Sequence, residues 1–131
     1  MMSNPCPCGS NLAYNQCCRP YHDGKAAPTA AALMRSRYSA YTLRNGAYLH
    51  RTWHGSTRPN KKSLLQLPPT EWLGLEIVRT EAGGTQDERG MVEFIARYQE
   101  GEQTDALHES SRFVKEAGRW YYVDGDYERS Q

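Results

Sequence analysis

From Arg19 to the C-terminus the sequence contains no cysteine, so no disulfide framework can hold the body of the chain together. Phenylalanine occurs only twice, and hydrophobic residues make up 38% of the 131 positions, enough for one modest core. No run approaches the roughly 20 apolar residues that a membrane-spanning helix needs, and mean hydropathy is −0.82. The opening stretch MMSNPCPCGS has neither a basic nor an apolar segment. A signal peptide is therefore not expected, and the chain reads as cytoplasmic, where thiols stay reduced. Sixteen basic side chains face fifteen acidic ones, with no long run of like charge. That balance disfavours nucleic acid as a partner. Also missing are a Gly-rich phosphate loop, a carboxylate pair at catalytic spacing and any nucleophile-elbow context for Ser110 and Ser111. Nothing in these absences points to an enzyme.

What the sequence does have is a concentration of thiols. The segment NPCPCGSNLAYNQCCRP carries all four cysteines, Cys6, Cys8, Cys17 and Cys18, within thirteen positions. Disulfides fit this spacing poorly, because Cys17 and Cys18 are adjacent and Cys6 and Cys8 are one residue apart. A chance scatter of buried cysteines would not leave the rest of the chain bare. The remaining reading is a tetrahedral metal site, in which zinc takes four thiolates at about 2.3 Å. Gly9 permits the backbone angles of a knuckle after Cys8. Residues 9–16 carry the chain around, and Cys17 and Cys18 close the site from a turn or short helix. Four sulfur ligands leave no open position, so one structural zinc per chain is expected rather than a catalytic one. An iron–sulfur centre could use the same ligands.

Residues 21–28, within RPYHDGKAAP, read as a linker rich in Pro, Gly and charge. Thr29 is a plausible N-cap, and Ala30, Leu33, Met34, Tyr38 and Tyr41 follow at helical spacing. Arg35, Arg37 and Arg44 lie among them and read as a solvated or snorkelling flank. Gly46 is suited to end this helix. AYLHRTWH starts a second, shorter helix, and LLQLPPTEW holds one more helical turn before Pro68-Pro69. The period then changes to two, predicting strands over 72–81, 90–99, 105–115 and 119–124. Short glycine-containing turns between them predict antiparallel pairing. The fold class is α+β, with helices packed on an antiparallel sheet. Trp120 and Tyr122 should share one face of the last strand, as core packing, and Glu109 could pair with Arg97 across strands.

Cys6-Pro7-Cys8-Gly9-Ser10, then Tyr14, then Cys17-Cys18 resembles the SEC-C motif, known from the C-terminal tail of the preprotein-translocation ATPase, where the finger binds zinc and docks on the export chaperone. The fourth ligand there is often histidine; Cys18 holds that place in this chain. LMRSRYSAYTLRNGAYLHRTWHGSTRP together with HESSRFVKEAGRWYYVDG resembles the YchJ-like family of bacterial proteins. These join an N-terminal SEC-C finger to a domain resembling nuclear transport factor 2. Gly55 departs from the family's usual proline, and the sequence ends without the second finger of longer members. The resemblance implies a curved, conical sheet, a zinc ion and no established activity. It divides the chain into a finger over 1–20, the linker, and a nuclear-transport-factor-2-like domain over 29–131.

Two kinds of function follow from that layout. The finger could be a protein-interaction module, with Asn11, Tyr14 and Arg19 facing a partner. Alternatively, the cone could bind a small ligand or host a reaction. Polar candidates for such a pocket are His54, Arg58, Tyr98, His108 and Arg112, with His50 and Glu109 also in reach. His108 and Glu109 are strand neighbours and must face opposite sides. Trp53 and His54 are expected near the mouth, His54 in a structural role. A nucleic-acid-binding knuckle is a third possibility. Charge disfavours it, because four thiolates and one Zn²⁺ take the chain from +1 to about −1. If finger and domain are separate units, removing the metal should unfold only the first twenty or so residues.

Overall fold

The structure is a computed structural model and describes residues 5–66 and 70–127. Thr29 caps the main helix as expected. Its backbone is extended and its hydroxyl accepts the Ala32 N–H at 3.0 Å, which satisfies one orphan donor of the first turn. The helix, α2, spans Ala30–Thr42 and buries Ala30, Leu33, Met34 and Tyr38 at the predicted spacing. Its end differs from expectation. Arg44, at φ 57°, makes the left-handed turn assigned above to Gly46. Gly46 instead opens α3 (Gly46–Arg51), which Asn45 caps through the Tyr48 N–H. The reason is a close approach. A Cβ on Gly46 would lie 2.2 Å from the Leu64 carbonyl oxygen, so only glycine lets α3 meet α4 (Lys61–Leu65). That short helix is the extra helical turn expected in this region. Pro68 and Pro69 lie outside the described residues.

The segment read as a linker is packed against the body. It takes in the end of a helical turn, α1 (Arg19–His22), and buries Ala27. Arg51 Nη2 donates to the carbonyls of Tyr21 and His22, both at 3.2 Å, and Trp120 Nε1 donates to that of Pro28 at 3.3 Å.

Four strands follow: β1 (Glu71–Ala82), β2 (Arg89–Glu100), β3 (Gln103–Glu116) and β4 (Arg119–Tyr127). They pair antiparallel in the order β1-β2-β3-β4, the meander that short turns dictate. Register shifts interrupt β1 at Trp72/Gly74 and Ile77/Arg79, and the β3–β4 ladder at Arg112/Phe113. Such irregularities bend strands and increase twist. Val92, Phe94, Ala96, Phe113 and Trp120 are buried in one core with α2, so the packing role read for Trp120 holds. The opposite face is polar. Arg79 pairs with Glu93, Arg97 with Glu76, and Arg112 with Asp124 and Asp126.

The chain after α3 clips onto the sheet edge. Trp53 bridges Tyr122 in parallel, with the His54 N–H donating to the Tyr122 carbonyl at 2.7 Å and the Tyr122 N–H to the Thr52 carbonyl at 2.8 Å. This clip brings Trp53 over the inner face of the sheet and fixes one wall of the cavity described below.

Candidate functional site

The N-terminal loop folds back on itself through a bridge between Pro5 and Ala13 and a Cys6 N–H bond to the Leu12 carbonyl at 2.8 Å. Gly9 turns at φ 82°. A 3₁₀ turn (Tyr14–Gln16) then delivers Cys17, and Cys18 caps α1. The four sulfurs converge, all within 4.8 Å of one another, and none is in a disulfide. Cys8 and Cys17 are 3.6 Å apart and Cys17 and Cys18 are 3.9 Å apart. Four sulfurs at ~2.3 Å from a tetrahedral ion would sit about 3.8 Å from each other. The donor set is therefore consistent with one metal site. Ser10 Oγ lies 3.0 Å from Cys17 Sγ, and Ser39 Oγ 3.4 Å from Cys6 Sγ. Hydroxyls so placed donate to thiolates and orient them.

The site is part of the core rather than an appendage. Cys6, Cys8 and Cys18 are buried in the same cluster as Leu33, Met34 and Tyr38. Arg35 Nη1 donates to the Cys8 carbonyl at 3.1 Å. His22 bridges the two parts, with Nε2 2.8 Å from the Ser36 carbonyl and Nδ1 2.6 Å from the Tyr14 hydroxyl. Burial pulls its imidazole below the ordinary histidine range. Of the residues expected to face a partner, Asn11 and Arg19 are exposed, Asn11 at φ 70° beside exposed Leu12. Tyr14 is half-buried and committed to His22, and Arg19 pairs with Asp23 and Asn15.

Most polar residues nominated for the pocket point elsewhere. His108 is on the outer face of the sheet, where its Nε2 meets Glu93 at 2.6 Å. His108 and Arg79 together hold the Glu93 carboxyl below the usual carboxylate range. Arg112 lies on that same face between Asp124 and Asp126. Arg58 is exposed. His54 turns outward to Ser56 and Glu116. That is a structural arrangement, but a surface pair of this kind contributes only about 0–1 kcal/mol. Tyr98 faces inward with its ring tilted against that of Trp72 at 5.5 Å, without lining the cavity. It sits opposite Asp105, so it does not meet His108. Glu109 does not pair with Arg97, since Phe94 stands opposite Glu109 and Arg97 is bound to Glu76.

A cavity of about 200 Å³ lies between α2 and the inner face of the sheet. Trp53, Trp72, Tyr38, Tyr41, Phe94 and Leu107 form its apolar walls. Two ionisable side chains also line it, Arg37 at 3% exposure and Glu109 at 5%. Arg37, read above as a solvated flank, instead donates from Nη1 to the Leu49 carbonyl at 3.0 Å and to Thr52 Oγ1 at 2.8 Å. Its guanidinium carbon lies 5.0 Å from the Trp53 ring centre and 4.6 Å from that of Tyr122. Glu109 accepts from Ser111 and, at 3.1 Å, from the Tyr122 hydroxyl, both on Oε2. Room for this carboxylate comes from Gly125, where a Cβ would sit 2.1 Å from Oε2. Strand parity could place Glu109 on the inner face. Nothing in the sequence signals that Arg37 crosses beneath the helix to join it.

Residues 29–125 match the family described as "YchJ, middle NTF2-like domain", and residues 2–20 match the SEC-C motif. The chain belongs to the YchJ-like family. It is 50% identical over 125 residues to a UPF0225 protein of Xanthomonas oryzae pv. oryzae, covering 95% of each chain. A UPF0225 protein of Ralstonia nicotianae is also 50% identical, over 92% of this chain and 90% of that one. The solution structure of a SEC-C motif-containing protein from Rhodopseudomonas palustris superposes with a TM-score of 0.84 at 34% identity, over 95% of this chain and 99% of that chain. The crystal structure of such a protein from Psychrobacter arcticus gives 0.80 at 31% identity, over 98% and 85%. In this YchJ-like chain the SEC-C cysteines and the NTF2-like domain share one core. No helix among the described residues is long and apolar enough to cross a membrane.

Proposed function

We propose that this YchJ-like protein binds a small ligand in the cavity beneath α2, and that its four cysteines hold one structural zinc ion that braces the same core. The observation that carries the reading is two buried ionisable side chains, Arg37 and Glu109, lining one aromatic cavity without an ion pair between them. Each charge has hydrogen bonds of its own, which offset part of the cost of burying it, but a merely structural pair would be expected to make direct contact. Zinc is favoured among metals by the all-thiolate, tetrahedral donor set. With four protein ligands it would hold the chain and activate no water. The test uses toluene as a probe of the apolar walls. It should cause saturable shifts of the Trp53, Phe94 and Ala96 amide signals in heteronuclear spectra, and Ala96→Leu, which fills the space, should abolish them. No saturable shift, or shifts unaffected by Ala96→Leu, would count against a ligand cavity.

A second reading, a protein partner docking on the finger, is favoured by one feature. Leu12 is 52% exposed at the tip of the metal loop, beside Asn11.

A further inference from the structure

This inference rests on the cavity reading above and concerns what the cavity selects. Arg37 makes both of its hydrogen bonds through Nη1. Its Nε and Nη2 have no acceptor among the described residues. Glu109 takes both of its bonds on Oε2, which leaves Oε1 without a donor among the described residues. Among the described residues no side-chain nitrogen or oxygen is both fully shielded and without a partner. The spare Arg37 nitrogens and Glu109 Oε1 are therefore not fully shielded. Both residues line the same cavity.

The cavity thus offers donors from one side and an acceptor from the other, between aromatic walls. Its two charges are opposite, so a ligand bearing net charge would leave one of them unbalanced in a poorly solvated space. A neutral ligand with a strong dipole satisfies both. It needs a carbonyl to accept from the guanidinium and an N–H to donate to the carboxylate. Walls built of Trp53, Trp72, Tyr38 and Tyr41 favour a flat ring. At about 200 Å³ the space is smaller than the ~300–1,000 Å³ usual for drug-sized ligands. We propose that the cavity binds a small, planar, uncharged cyclic amide, its carbonyl held by Arg37 and its N–H by Glu109.

The probes are uracil, whose ring alternates carbonyl and N–H groups, and 1,3-dimethyluracil, which keeps the ring and carbonyls but has no N–H. Toluene and L-alanine serve as apolar and zwitterionic comparisons. Titrations of the full zinc-loaded chain, followed by amide shifts of cavity residues and by tryptophan fluorescence, should show saturable uracil binding. 1,3-Dimethyluracil should bind at least about 10-fold more weakly, the scale set by a buried hydrogen-bonding group left unpaired. Glu109→Gln presents an amide NH₂ where Oε1 stood, or leaves its hydroxyl donors facing one, and should weaken uracil at least about 10-fold. Arg37→Lys, which keeps the charge and loses the fork, should also weaken uracil. Equal binding of uracil and its dimethyl form, or preference for L-alanine, would overturn the ligand class. Toluene binding without uracil binding would overturn it while leaving the cavity reading intact. Failure of every probe would remove both.

Discussion

Stripping the metal from the loaded protein should loosen helix α2 as well as the cysteine loop. Metal-binding free energy is folding free energy for the residues that supply the ligands; in zinc-finger peptides it reaches ~10–16 kcal/mol. Whole domains are stable by only ~5–15 kcal/mol. In this chain Cys6, Cys8 and Cys18 share a core with Leu33, Met34 and Tyr38. Cys6 touches Ser39, Arg35 holds the Cys8 carbonyl, and His22 holds that of Ser36. The expected result of chelation is a fall in the melting temperature of the whole protein by about 10 °C or more, from a loss of about 3 kcal/mol spread over a domain of this size. Amide exchange should show lost protection at residues 5–22 and reduced protection across 33–40. Unchanged protection in α2, with loss confined to the first twenty residues, would restore the separable finger that the sequence suggests.

Arg37→Ala should be the most damaging substitution outside the cysteines. The change removes two hydrogen bonds at 3.0 and 2.8 Å that tie α2 to the end of α3, and it empties the space beside the Trp53 and Tyr122 rings, which touch each other edge-on. It also leaves Glu109 as a buried carboxylate with no nearby buried cation among the described residues. The lost charge-assisted bonds, the emptied space and the unbalanced carboxylate should together cost about 3–5 kcal/mol, and urea unfolding at constant slope would report it. Arg37→Met separates the contributions. It keeps the stem packed but loses the charge and its two hydrogen bonds, so it should recover only the packing part of the loss and still cost at least about 1.5–3 kcal/mol. A cost below about 1 kcal/mol for Arg37→Ala would show that the guanidinium does not hold the two helices together.

The metal loop and the meander were legible because their signals are local. Four thiols in thirteen positions suit a metal ion and little else. Alternating strands joined by short glycine turns can pair in few ways. Thr29 acts within three residues of itself, and its cap was readable for the same reason. The pocket was mostly illegible because its polar members are defined by crossings between distant segments. Arg37 is far from Glu109 in sequence, and its burial depends on the Thr52–Trp53 clip against β4. His108 and Arg112 were attractive by residue type. Strand parity set both on the outer face, where acidic neighbours absorb their charge. Gly46 and Gly125 illustrate the same limit. Each is required by a backbone or carboxylate brought from another element, and composition could not distinguish them from turn glycines.

The most direct test of the central claim, a closed four-cysteine zinc site inside the core, is native mass spectrometry of chelator-free protein combined with thiol titration. The expected result is one zinc per chain, four thiols that resist alkylation until a chelator is added, and loss of the bound metal in Cys8→Ser. A chain purified without metal that retains full thermal stability, with four thiols reacting freely, would contradict it.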